Sequence, residues 1–146
     1  MTVDRPRSVG AARSPAARAV RALARVRWLR RLGLHPVVAL PGYALVTALA
    51  LAWGAVLSGF RVSRRGGVIV CAGLPRWAFG RGGTTLGAVY LTRDAVGPRV
   101  LEHEAVHRAQ WRRYGLAMIP LYLAAGRDPL RNRFEIAAGL ESGGYV

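Results

Sequence analysis

Lysine is absent from the sequence, and cysteine and acidic residues are scarce. All 22 basic side chains are arginines, against seven acidic ones, and the formal net charge is +15. A basic composition made entirely of arginine indicates a coding bias more than selection for one kind of partner, so charge alone is weak evidence about what the protein binds. The single cysteine, Cys71, excludes an internal disulfide and any metal cluster built from several cysteines, and we expect a buried structural thiol.

Few large apolar side chains occur in residues 1–31, which carry many of the arginines. Such a segment buries too little surface to offset the entropy of ordering, so we expect a flexible basic arm. A solvated tail and an arm attracted to the anionic phospholipids of a membrane both fit this composition. Nucleic-acid binding is disfavoured because few aromatic side chains are interleaved with the arginines.

Charged side chains are also missing from residues 37–60. About 20 apolar residues suffice for a helix to cross the hydrocarbon core of a bilayer, so the region 32–60 predicts a membrane-associated helix, either a span or an interfacial anchor. Because arginines crowd its N-terminal side, a span would keep the N-terminus in the cytoplasm. Pro41 and Gly42 also allow a shorter helix buried in a soluble core, whereas a cleaved signal peptide is disfavoured by the long charged region ahead of it.

The remaining residues, 61–146, predict one small α+β domain. Short β-branched runs at 68–72 and 86–92, with a glycine-rich turn between them, are typical of two strands, and we expect them to pair in a small antiparallel sheet. The edge of the strand at 86–92 would then hold an extended substrate by β-addition.

Two helices are predicted after the strands. An initial proline suits the first position of a helix over residues 98–114, and Gly115 follows where a left-handed residue would end it. Asp followed by Pro predicts a second helix over residues 128–139. The apolar connection between them, residues 116–126, must be buried or lie against a membrane.

The first of these helices contains LEHEAVHRAQW, residues 101–111, in which two histidines bracket a glutamate. Residues four apart on a helix are separated by only about 40° around its axis, so His103 and His107 can direct ring nitrogens at one metal ion. Glu104 points about 100° away from His103 and can reach a water on that ion without binding the ion itself. Composition alone would produce the H-E-x-x-H pattern in about two of a thousand such chains, which favours a zinc site with its general base.

A third ligand is needed, because catalytic zinc keeps three protein ligands and one open position. Among the few acidic residues, Glu135 lies centrally in the second predicted helix, and a helical hairpin would bring it to the metal. Glu141 or Asp128 would replace it if the hairpin packed in another register.

The segments HEAVH (103–107) and NRFEIAAG (132–139) resemble the HExxH zincins and, among them, the gluzincins, whose third ligand is a glutamate on a downstream helix. A looser likeness, which implies no substrate, is to small actinobacterial membrane-associated proteins. The resemblance covers roughly residues 86–141. It implies a minimal zincin core in which two histidines and Glu135 hold Zn²⁺, and in which Glu104 is the general base.

Each of these residues also has an ordinary structural interpretation. The histidines would be satisfied by solvent or by backbone groups. Glu104 would form a helical ion pair with Arg108, and Glu135 would form one with Arg131. Asn132 is either a helix cap or a group that orients Glu135.

The sequence therefore predicts a membrane-associated zinc metallopeptidase acting on a peptide or protein substrate. Tyr114 shares the helix face of the histidines with Gln110 and is a candidate for stabilising the oxyanion, but packing and support of the site are the favoured interpretation of Gln110, Trp111 and Tyr114. The alternative is a catalytically inactive, zinc-stabilised membrane protein or interaction module. A third hypothesis is an arginine-rich nucleic-acid binder with accidental histidines, which would bind DNA in a salt-sensitive way and hold no metal.

Overall fold

A mixed four-stranded sheet lies between a long apolar helix on one face and the histidine-bearing helix on the other. The structure, a computed structural model, describes residues 34–78 and 82–146, so the predicted basic arm over 1–31 lies outside the described residues. In chain order the elements are α1 (Pro36–Leu57), β1 (Val62–Arg65), β2 (Val68–Cys71), β3 (Gly83–Leu86), β4 (Val89–Thr92), α2 (Pro98–Tyr114), a 3₁₀ turn (Gly115–Ala117), α3 (Met118–Ala125) and α4 (Arg133–Ala138).

The sheet consists of two hairpins joined side by side, in the order β1-β2-β4-β3. Gly66 and Gly67, both at positive φ, form the two-residue turn from β1 to β2, as this type of tight hairpin requires. The two predicted strands, β2 and β4, are instead neighbours in parallel, with Ile69 opposite Val89. The prediction that they pair in a small antiparallel sheet is therefore wrong, and the sheet is mixed.

Because of this pairing, the edge strands of the sheet differ from the strands that were predicted. Each predicted strand is the second strand of a hairpin whose first strand, β1 or β3, was not predicted. Because β4 is central, the expectation that the strand at 86–92 offers an edge to a substrate is wrong. On the side of the sheet that concerns the site, the edge strand is β3.

Helix α1 packs on the sheet through small residues. It runs unbroken through Pro41, and its buried residues, Ala39, Gly42, Ala50 and Gly54, lie along one side of the helix. A side-chain carbon at Gly54 would meet Leu91 and would come within 3.0 Å of the Cys71 sulfur, so glycine is required for this close approach. Within the described residues, α1 is the one helix long and apolar enough to cross a membrane, and 22% of its apolar window is buried.

On the other face, alternate residues of the same strands pack against α2. Val68, Val70 and Tyr90 form this cluster with Leu101, whereas Cys71 and its same-face neighbours pack against α1. The thiol of Cys71 is buried, as expected, and burial raises its pKa.

The helix predicted at residues 128–139 begins later than expected. Asp128 closes a turn instead, because its carbonyl accepts from the Asn132 amide at 2.9 Å and its side chain accepts from the Leu130 amide at 3.1 Å. Asn132 then caps α4 by accepting from the Phe134 amide at 3.0 Å, as one of its two interpretations predicted. The side-chain amide nitrogen of Asn132 donates to the carbonyl of Gly126 at 2.8 Å, which fixes α4 against the end of α3.

Candidate metal centre

Two histidines of α2 and a glutamate of α4 meet in the interior. His103, His107 and Glu135 are all buried, with 8% exposure or less. The Nε2 atoms of the two rings lie 3.0 Å apart. The Oε2 atom of Glu135 lies 3.2 Å from Nε2 of His103 and 3.4 Å from Nε2 of His107. The structure therefore brings together the three residues that the sequence predicted as ligands.

The size of this triangle fits a tetrahedral zinc ion. Ligand atoms at about 2.0–2.1 Å from zinc, separated by the tetrahedral angle, lie about 3.3 Å from one another. The three measured separations, 3.0, 3.2 and 3.4 Å, bracket that value. The Oε2 atom of Glu135 is buried and has no hydrogen-bond partner among the residues that the structure describes. An unsatisfied buried oxygen is costly, and a cation would satisfy it.

The outer nitrogens of both rings are held by acceptors. Nδ1 of His103 lies 2.9 Å from the carbonyl oxygen of Gly139, and Nδ1 of His107 lies 2.8 Å from Oε1 of Gln110. The amide nitrogen of Gln110 donates to the Phe134 carbonyl at 3.0 Å, which orients its oxygen toward His107. A proton on each Nδ1 leaves the lone pair of each Nε2 free for a metal, the arrangement usual for histidine ligands.

The charges of the cluster favour a positive partner. Burial alone would raise the pKa of the Glu135 carboxyl, but the proximity of the two histidine rings and the hydrogen bond from Tyr122 outweigh burial and hold the pKa well below its ordinary range. Burial lowers the pKa of His103, but the carboxylate of Glu135 and the Gly139 backbone outweigh it, and the net shift is upward. The Tyr122 hydroxyl donates to Oε1 of Glu135, which leaves Oε2 directed at the rings. The site thus holds an ionised carboxylate that favours a positively charged partner.

Glu104 lies beside this cluster and faces a cleft. Its Oε2 accepts a hydrogen bond of 2.8 Å from the Thr85 hydroxyl of β3, and burial raises the pKa of its carboxyl. Trp111 fixes the same strand by donating its ring N–H to the Thr85 carbonyl at 2.8 Å. The cleft has a volume of about 250 Å³, and its walls combine the β3 edge, the polar residues Glu104, His107, Tyr122, Glu135 and Tyr145, and the apolar residues Trp111, Met118, Ile119 and Leu123.

The ordinary ion pairs considered for the two glutamates are replaced by other contacts. Arg108 donates to the Tyr43 hydroxyl at 3.1 Å and to the Gly67 carbonyl, while Glu104 turns to Thr85. The acids considered as substitutes for Glu135 lie at the surface in ion pairs. Arg131 pairs with Asp128 at 3.6 Å, and Arg99 pairs with Glu141 at 3.2 Å.

The oxyanion role considered for Tyr114 does not fit its position, whereas the packing interpretation of Tyr114 is confirmed. Its ring packs edge-on against Phe134, with centroids 5.7 Å apart, in the apolar cluster beneath α3, and it does not line the cleft. Tyr122 and Tyr145 line the cleft instead, and the Tyr145 ring lies 6.0 Å from that of His103. Burial, followed by the charge of Glu135, raises the pKa of Tyr145 to about 12, so its phenol stays a proton donor at neutral pH.

The sequence patterns did not identify Thr85, Tyr122 and Tyr145, because each of these residues reaches the site from a part of the chain outside the histidine-bearing helix. A signal for Thr85 was available: two adjacent threonines follow the glycine-rich turn, and such residues are typical of an edge strand.

No protein-family model, no curated protein and no solved structure matches the chain.

Proposed function

We propose that the protein is a membrane-associated zinc metallopeptidase. The observation that carries the proposal is the buried triangle of two Nε2 atoms and the unpaired Oε2 of Glu135, with dimensions suited to zinc and one side open to the cleft. Glu104 lies next to the ligands and lines the cleft, where a general base is required. Membrane association is supported by α1, which is long, apolar and mostly exposed.

His103, His107 and Glu135 would hold the ion. When bound, zinc supplies Lewis-acid polarisation of a carbonyl and makes water more acidic. Glu104 accepts a proton from the attacking water, whose oxygen adds to the peptide carbonyl carbon. Glu104 then passes that proton to the departing nitrogen as the C–N bond breaks, so water is divided between an acid and an amine. The raised pKa of Glu104 suits both steps, since it brings proton uptake and release closer to neutral pH.

Two residues of the cleft would assist Glu104. The Thr85 hydroxyl holds one carboxylate oxygen and fixes the direction of the other. Tyr145, kept protonated, would donate a hydrogen bond to the oxygen that becomes negative during attack, the role considered for Tyr114.

The edge strand β3 would align the substrate. Gly83, Thr84, Thr85 and Leu86 line the cleft, and an extended peptide can add to such an edge through backbone hydrogen bonds. This addition would place a scissile bond between the edge strand and α2. The cleft is large enough for a few side chains, which is consistent with a peptide as the substrate.

Metal analysis and peptide hydrolysis test the proposal together. The parent protein should bind one zinc, and the double variant His103→Ala/His107→Ala should bind none. His35→Ala, which removes the histidine at the start of α1, is the matched control and should retain the metal. Glu104→Gln should retain zinc but hydrolyse a mixture of quenched fluorescent peptides about 10³-fold or more slowly.

The outcomes separate the hypotheses. A parent protein that binds no zinc would overturn the proposal. A zinc-bound parent that cleaves no peptide would leave the inactive, zinc-stabilised membrane protein or interaction module as the better account. Salt-sensitive DNA binding without metal would favour the nucleic-acid hypothesis.

A further inference from the structure

The outward face of α1 is a continuous apolar stripe. Val38, Leu45, Leu49 and Val56 follow one another at helical spacing and are all exposed, Leu49 to 62%. Soluble monomers rarely expose contiguous apolar patches of this kind without a partner. The stripe contains no charged side chain, because α1 has none.

This stripe continues toward the cleft. Gly42 contacts Leu116, since a side-chain carbon at Gly42 would lie 3.1 Å from the Leu116 Cγ. Leu45 and Leu49 lie three and seven positions after Gly42, and therefore border the same side of α1. Beyond Leu116, the half-exposed Ile119 and Leu123 form an apolar lip of the cleft.

The packing of α1 determines how a bilayer can meet this surface. The rest of the domain contacts α1 from Ala39, beside Gly115, to Gly54, beside Leu91, a distance of about 22 Å along the helix axis. A perpendicular span would carry the sheet and the unpaired backbone groups of its edge strands β1 and β3 into the hydrocarbon. The interfacial anchor, one of the two arrangements that the sequence left open, avoids this cost.

Arginines lie where such an anchor needs them. Arg61 and Arg64 come soon after α1 in the chain and are exposed, and Arg64 is opposite Ile69, which packs on the α1 face of the sheet, so these cations are available to anionic headgroups on the α1 side. The overall charge of +15 is complementary to an anionic surface.

We propose that an anionic lipid bilayer covers the stripe of α1 together with Leu116, Ile119 and Leu123, so that the cleft opens at the membrane surface. On this basis, which rests on the proposed peptidase activity, the substrate is an extended segment of a membrane-anchored polypeptide that enters from the bilayer. The apolar lip would contact the lipid side of the substrate, and the β3 edge would pair with its backbone.

Lipid quenching tests the orientation of the cleft without relying on activity. Fluorescent labels are placed at Leu49→Cys, Leu123→Cys and Glu102→Cys in a Cys71→Ala background of the full chain, because the native thiol is buried. Vesicles contain phosphatidylglycerol and a nitroxide-labelled phosphatidylcholine. Labels at positions 49 and 123 should be quenched, while the label at the exposed, charged position 102 should stay bright.

Quenching at position 49 but not at position 123 would overturn the inference, because α1 would bind lipid while the cleft faced elsewhere. Absence of quenching at both positions would overturn it as well. Zinc content, measured on the same preparations, reports separately on the proposed function, so the two failures are distinguishable.

A second measurement addresses the substrate. The same peptide mixture is presented free or with an N-terminal palmitoyl chain, in both cases with phosphatidylglycerol vesicles. The anchored peptides should be cleaved about tenfold faster or more, because anchoring raises their local concentration at the cleft. Equal rates in an active preparation would overturn the membrane-anchored substrate class while leaving the peptidase intact.

Discussion

The two sides of the sheet share the same strands but differ in the side chains that the covering helices contribute. On the α1 face, Ala50, Cys71, Val89 and Leu91 form a wholly apolar cluster. On the α2 side, the interior includes two histidines and two glutamates beside the apolar cluster around Tyr90. Burial of ionisable groups costs free energy unless they are paired or bind a metal. The α1 face is therefore explained by stability, whereas the ionisable cluster on the α2 side is the part that the proposed metal would stabilise.

The contrast extends to how each face makes its contacts. Glycines at 42 and 54 bring α1 close to its neighbours, so that side is fixed by steric fit. The α2 side is fixed by directed hydrogen bonds, from Thr85 to Glu104 and from Gln110 to Phe134. Added side-chain volume destabilises closely packed helices, and the loss of one hydrogen-bond partner destabilises a buried polar network. Substitutions of each kind should therefore affect the two sides differently.

The largest effect is expected where the two sides meet. Gly115 ends α2 with a φ of 53° and a ψ of −137°, and a side-chain carbon there would lie 2.7 Å from the Ala39 Cα. Gly115→Ala adds backbone strain to a clash with the α1 backbone, and should reduce the free energy of unfolding by about 3 kcal/mol or more. Urea denaturation followed by circular dichroism measures the change.

Gly59→Ala is the matched control for this substitution. Its φ is 60°, but a side-chain carbon at Gly59 would meet no atom within 4 Å. It should cost about 1–2 kcal/mol for the left-handed backbone alone. Equal losses from the two variants would contradict the close contact between α1 and the end of α2.

Local signals predicted α2 correctly, whereas the arrangement of the sheet depends on non-local pairing that such signals do not contain. The proline and glycine that bound α2 are visible in the sequence and mark its ends correctly at Pro98 and Tyr114. Strands β1 and β3, with sequences VSRR and GTTL, are partly exposed edge strands without an apolar alternation. The parallel contact of β2 with β4 depends on both hairpins, so no short window of sequence contains it.

The same limit applies to the site. The spacing of His103 and His107 predicted that their rings would converge, and the Glu135 carboxylate lies with them in the structure, while its role as a metal ligand stays a prediction. Tyr145 reaches the His103 ring only because the chain turns back after α4, where the Tyr145 amide donates to the Leu140 carbonyl at 2.9 Å. Tyr114 shares the helix face of the histidines, but its ring is partly buried and packs against the cluster around Phe134.

A substitution of intermediate effect tests the polar network. Gln110→Leu keeps a similar volume but removes the acceptor that holds Nδ1 of His107. Zinc affinity should fall by about 10- to 100-fold, as for other outer partners of metal-binding histidines. Competition with a chromophoric chelator measures the affinity. Gln110→Glu, which restores an acceptor, should recover part of the loss, and a Gln110→Leu variant with parental affinity would contradict the assigned role.

The smallest effect is expected at the acid that the sequence left as a substitute ligand. Glu141 is 76% exposed and pairs with Arg99 at 3.2 Å, in contrast to the buried Glu135. An exposed ion pair is screened by solvent, so Glu141→Gln should change the free energy of unfolding by no more than about 0.5 kcal/mol. Zinc content should stay at the parental value, whereas Glu135→Gln should lower it. A metal lost from the Glu141 variant and kept by the Glu135 variant would transfer the third ligand to the surface acid, and the buried carboxylate on the α2 side would then need another explanation.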